Sequence, residues 1–152
     1  MEQEYGNWWT APAESEDGRL IMVSGRTDVS VFRNNPRFTI RIEIVWPYGE
    51  GNPDAKMPSE KDAALMGEAT ERLQAILHKD PVAVMTGIFT GAGERTWVFY
   101  TLSTHIFQKK LNEALDLLPT LPLTITAEND PHWEAYDEMA EFGGSGVVPW
   151  QD

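Results

Sequence analysis

A chain of 152 residues with no cysteine and a net charge of −12 at pH 7 excludes disulfides, thiolate catalysis and cysteine-ligated zinc or iron–sulfur clusters. This length buries roughly 68–70% of the unfolded surface, enough for one core, and 41% hydrophobic residues with six Trp and six Phe argue against disorder. From Leu111 to Asp152 there are nine acidic residues and no Lys or Arg, a field that repels phosphate backbones and favours a basic protein partner, although it also serves plain solubility.

The N-terminus lacks the basic region and apolar run of a signal peptide, and no apolar stretch reaches membrane-spanning length. A cytoplasmic protein with no membrane and no nucleic-acid partner is the expectation. Residues 5–15 and 19–24 read as two strands across Glu16-Asp17-Gly18, an N-terminal hairpin in which Pro12 suits an edge. Residues 25–37 read as irregular, with a turn at Asn34-Asn35-Pro36. Phe38, Ile40, Ile42, Ile44 and Trp46 then alternate with Thr39, Arg41 and Glu43, the period of a strand with one apolar face.

Three Pro and two Gly make 47–58 a surface loop. Ser59 with Asp62 opens a helix over 59–78, with Leu65, Ala69, Leu73, Ile76 and Leu77 on one face, and Asp80-Pro81 ends it. Val82–Phe89 and Thr96–Leu102 are strands joined by a hairpin loop from Thr90 to Arg95. Thr104 caps a second helix, to Leu118, with Phe107, Leu111, Ala114 and Leu115 on its buried stripe, ended by Pro119. Leu123 and Ile125 belong to a last strand. Asp130-Pro131 is an N-cap and N1 pair for a short third helix with Trp133, Tyr136 and Ala140 at helical spacing, and a flexible Gly-rich tail covers 143–152.

The order strand, helix, strand, strand, helix, strand between 38 and 127 predicts a ferredoxin-like α+β domain over 1–142. Its antiparallel sheet carries two helices on one face, with an N-terminal β-hairpin and a short C-terminal helix added. The strand at 96–102 is apolar on both sides, through Trp97 and Phe99 on one and Val98 and Tyr100 on the other, so the second face needs an apolar cover. The Trp8-Trp9 hairpin, the Trp133 helix and a second copy of the chain, making a homodimer, are the candidates.

No catalytic constellation stands out. Trp97 and Phe99 occupy places where RNA-recognition strands carry stacking aromatics, but the glycine-aromatic pattern is absent and the charge is of the wrong sign. Gly91-Ala92-Gly93 and Gly143-Gly144-Ser145-Gly146 lack the context of a phosphate cradle or nucleophile elbow. His78, His105 and His132 form no metal-binding pair, and Glu68, Glu71, Glu134, Asp137, Glu138 and Glu141 read as solvated helix faces. Neither a metal nor a cofactor is expected.

Asp130-Pro131-His132-Trp133-Glu134-Ala135-Tyr136, with Asn7-Trp8-Trp9 and Gly87-Ile88-Phe89-Thr90-Gly91-Ala92-Gly93, resembles the bacterial domain-of-unknown-function family 695 over most of residues 5–136. The 47–58 loop and the Gly-rich tail depart from its usual pattern. The resemblance implies an architecture and no catalytic residues. In some proteins such a domain accompanies one similar to the regulator of ribonuclease activity B, an acidic ferredoxin-like protein that inhibits by binding.

The expected function is that of an acidic, non-enzymatic interaction or regulatory domain with a protein partner. One alternative is a small-ligand-binding or enzymatic domain with an aromatic cleft on the open sheet face, and another is an immunity-type inhibitor of a basic toxin or nuclease. The candidate surface comprises Trp8, Trp9, Arg41, Glu43, Trp97, Trp133 and Tyr136, with Arg41 and Glu43 as its polar groups.

Overall fold

The chain forms six strands, β1 (Trp8–Glu14), β2 (Leu20–Arg26), β3 (Ile40–Pro47), whose apolar residues alternate, β4 (Ala83–Gly91), β5 (Glu94–Thr101) and β6 (Thr124–Asn129). All pair antiparallel in one sheet of order β1-β2-β4-β5-β3-β6. The helices are α1 (Ser30–Arg33), α2 (Glu60–Lys79), α3 (Thr104–Leu115) and α4 (Glu134–Ala140), which makes the chain a mixed α+β protein. This computed structural model describes residues 7–14, 18–48, 57–79, 82–116, 118 and 122–141, with 78 and 79 through their backbone alone. The expectations for Glu16-Asp17, most of the 47–58 loop, the Asp80-Pro81 and Pro119 stops and the 143–152 tail fall outside these residues.

On one sheet face Ile42, Ile44 and Trp46 of β3 and Trp97 and Phe99 of β5 meet the stripes Met66-Ala69-Leu73-Leu77 of α2 and Phe107-Leu111-Ala114 of α3. Ser59 Oγ accepts from the Asp62 N–H at 3.1 Å at the start of α2. At α3 the cap is Ser103, accepting from the Ile106 N–H at 3.2 Å, one residue ahead of the expected Thr104. The Trp97 indole N–H donates to Thr70 Oγ1 at 2.8 Å, joining β5 to α2.

Three expectations are corrected. The β1-β2 hairpin does not fold over a face; it extends the sheet in its own plane, because the outer edge of β4 needs backbone partners and β2 supplies them. Residues 25–37 are not wholly irregular, since α1 brings Phe32 onto the second face beside buried Val29. Phe38 leaves the alternation of β3, which begins at Ile40, and joins Val29, Val84, Tyr100 and Trp133 in a second cluster on that face.

Strands β4 and β5 run further than their hydrophobic pattern suggests, and the expected six-residue loop is a two-residue turn at Ala92-Gly93. Both turn residues have positive φ, 53° and 85°. That geometry matches the twist of a hairpin and suits Asn-Gly, whereas an alanine in the left-handed region is strained. Ala92→Asn is expected to raise stability by about 0.5–1 kcal/mol, read as a higher urea midpoint with unchanged slope. An unchanged or lower midpoint contradicts this turn.

Candidate functional site

The second sheet face is divided into a closed and an open part, and the segment from Asp130 to Ala140 draws the boundary. Asp130 enters with its backbone N–H on Thr39 O at 2.8 Å. Its carboxylate accepts from the Tyr100 hydroxyl at 2.7 Å and from the Glu134 and Ala135 N–H groups at 3.0 Å each. Two of these bonds satisfy first-turn donors of α4, and the third ties that turn to β5. Burial acts to raise the Asp130 carboxyl, but the hydrogen bonds outweigh it and hold it below the ordinary carboxylate range. Burial and the same bond push the Tyr100 hydroxyl well up.

Trp133 completes the attachment. Its ring is fully buried, stacks on Tyr100 at a centroid distance of 4.0 Å and 15° between planes, and donates its N–H to Phe38 O at 2.8 Å. Its backbone is left-handed, at φ 58° and ψ 39°. That conformation costs roughly 1–2 kcal/mol, less than the roughly 3 kcal/mol that burying a large aromatic side chain contributes. The expected cap pair is thereby corrected: α4 starts at Glu134, Pro131 lies ahead of it, and Asp130 caps from outside, because Trp133 must leave the helical conformation to reach Tyr100.

Further contacts hold α4 down. The Tyr136 hydroxyl donates to Arg26 O. Met139 sulfur rests on Gly87, where a Cβ would collide with it, and the paired Gly25 makes the same room for the Trp9 ring. Arg33 of α1 binds Asp137 through two bonds of 2.7 Å. With Asp137 54% exposed, that pair contributes at most about 1 kcal/mol. The cover of the second face thus comes from α1 and α4 of the same chain.

The sequence-predicted aromatic cleft does not assemble. Trp8 and Trp9 are successive strand residues and point to opposite faces, Trp8 against the helix-side cluster and Trp9 over Gly25. Trp97 is buried beneath α2, Trp133 is buried on Tyr100, and Tyr136 is half-buried, so Trp97 and Trp133 offer no ring to a partner. Only Arg41 and Glu43 of the predicted set come together on open surface.

They line a cleft of about 480 Å³ in the uncovered part of the second face, with Ile21, Phe89 and Ala92 as apolar floor and Glu94 and Thr96 at its side. Phe89 reaches this face because a β-bulge between Met85 and Gly87 shifts the phase of β4, a signal that period-two reading misses. Arg41 is 14% exposed, donates to Glu43 at 2.6 Å and lies 3.9 Å from Glu128. Three carboxylates, Glu43, Glu94 and Glu128, thus share this face of the sheet with one guanidinium that is already engaged. Among the described residues no group of three or more His, Asp or Glu is placed to hold a metal, and no helix is long and apolar enough to cross a membrane.

Residues 7–139 match the family of unknown function DUF695, so the chain belongs to that family. No curated protein and no solved structure matches it. The matched region takes in both the Asp130–Trp133 attachment and the open cleft.

Two outcomes test the attachment. Trp133→Ala is expected to cost about 3–5 kcal/mol and to lower Tm by about 6–20 °C; an unchanged Tm contradicts the buried stack. The folded pKa of Asp130 is lowered, so its contribution is full above the unfolded pKa and is lost as pH falls through the folded value. The stability gap between the native protein and Asp130→Asn should be constant above about pH 5 and shrink below about pH 4. A gap that does not change on acidification removes the carboxylate from this role.

Proposed function

We propose that this member of the family is an acidic, non-enzymatic, cytoplasmic interaction domain whose open second-face cleft receives a basic segment of a protein partner. The unit from β3 through α2, β4, β5 and α3 to β6 serves as a ferredoxin-like scaffold. The strand order β4-β5-β3-β6, with a helix in each crossover, supports that assignment.

One observation carries the reading: part of a sheet face is left without a cover, and it combines an apolar floor with an excess of carboxylates. A Lys or Arg side chain suits it, with the charged head beside Glu43 and Glu94 and the alkyl stem along Phe89 and Ile21. The exposed carboxylates Glu134 and Glu138 of α4 extend the negative field that steers such a partner and repels nucleic acid.

The test is affinity isolation from the native host, followed by direct binding measurements on the partner recovered. Glu94→Lys should weaken that partner's binding by about tenfold or more and reduce its salt dependence. Glu113→Lys, an exposed change on α3, should leave it unchanged. A partner bound equally well by Glu94→Lys, or one that is acidic, overturns the reading.

A further inference from the structure

A second cleft lies on the helix-bearing side of the sheet, away from the face just described. It has a volume of about 570 Å³, within the range of small-molecule sites. Its walls are β2, β4 and the first three turns of α2, and Arg95 projects into it from β5.

Arg95 is unusual in its place. Its register partners are Trp46 and Thr90, so it sits on the face that forms the main core. An arginine there is expected to have a carboxylate partner. Among the described residues none comes within ion-pair distance, and the only hydrogen bond is from Nε to Thr90 Oγ1 at 3.0 Å. Burial pushes the guanidinium pKa down, and the nearby Tyr48 phenol offsets this only in part.

The hydroxyls around it are differently engaged. Thr70 Oγ1 accepts from Trp97 and donates to Met66 O, and Ser24 is bonded to Thr10. Thr90 is buried and uses its oxygen to accept from Arg95, which leaves its O–H to donate. The terminal guanidinium nitrogens, with no carboxylate partner among the described residues, and the Thr90 hydroxyl are therefore able to donate to an acceptor in the cleft. Met22 and Ile88 form an apolar wall beside them. Gly67, a helix-interior glycine that lowers helix propensity, lines the same cleft, and a Cβ added there would meet nothing within 4 Å. Space is thus kept open next to these donors.

We propose that this cleft binds a small organic monocarboxylate, its carboxylate on the terminal nitrogens of Arg95 and the Thr90 hydroxyl, its apolar body along Met22 and Ile88. Glu71 at the rim opposes a dianion such as phosphate and selects the singly charged head group.

The experiment is a titration of the ¹⁵N-labelled full chain with straight-chain carboxylates from acetate to octanoate, with hexanamide and inorganic phosphate as controls. The Arg95 Nε–Hε, Thr90, Gly67 and Ile88 signals should shift saturably with at least one carboxylate. Hexanamide should bind about tenfold more weakly or worse, and phosphate should shift none of these signals. Arg95→Gln and Gly67→Leu should each weaken binding by about tenfold or more. Gly67→Leu keeps the test valid if Arg95→Gln does not fold, since a Cβ at this position enters open space. No saturable shift with any carboxylate, equal binding of hexanamide, or affinity unaffected by Gly67→Leu overturns the proposal.

Discussion

The stack of Trp133 on Tyr100, with Asp130 bonded to the same tyrosine, is the interaction on which the rest of the second face depends. Strand β5 is apolar on both sides and cannot leave Tyr100 and Val98 in water without cost. A helix of seven residues such as α4 is too short to persist alone. Each answers the need of the other, and the hydrogen bonds of Asp130 set the position at which they meet. Where α4 lands decides which part of the face is closed and which part, around Phe89, Arg41 and Glu43, stays open.

Much of this architecture could be read from residue spacing. The alternation in β3, the stripes of α2 and α3 and the role of Asp130 as a cap follow from local patterns, and those patterns survive folding because burial reinforces them. What could not be read depends on long-range contacts or on a single backbone angle. The bulge after Met85 turns Phe89 to the opposite face, and the left-handed conformations of Ala92 and Trp133 are imposed by the hairpin twist and by Tyr100. The hairpin of Trp8 and Trp9 carried no mark of lying in the sheet plane, since that depends on the free edge of β4. Trp97 looked like a surface aromatic only while the side on which the helices pack was unknown.

The two arginines on the sheet show how placement separates structural from recognition roles. Arg41 and Arg95 are both drawn away from water, yet Arg41 meets Glu43 and lies near Glu128 whereas Arg95 meets the Thr90 hydroxyl and the Tyr48 phenol and, among the described residues, no carboxylate. A paired cation among surplus carboxylates leaves a negative surface, whereas a cation without a carboxylate partner leaves a donor facing a cleft.

The most direct test of the account is hydrogen–deuterium exchange on the native complex against the free protein. Partner binding should slow exchange in the Gly91–Thr96 turn region and along β3 around Arg41 and Glu43, while α4 and the helix-side core keep the rates of the free protein. Protection concentrated on α2 and α3, with the turn region unaffected, would contradict it.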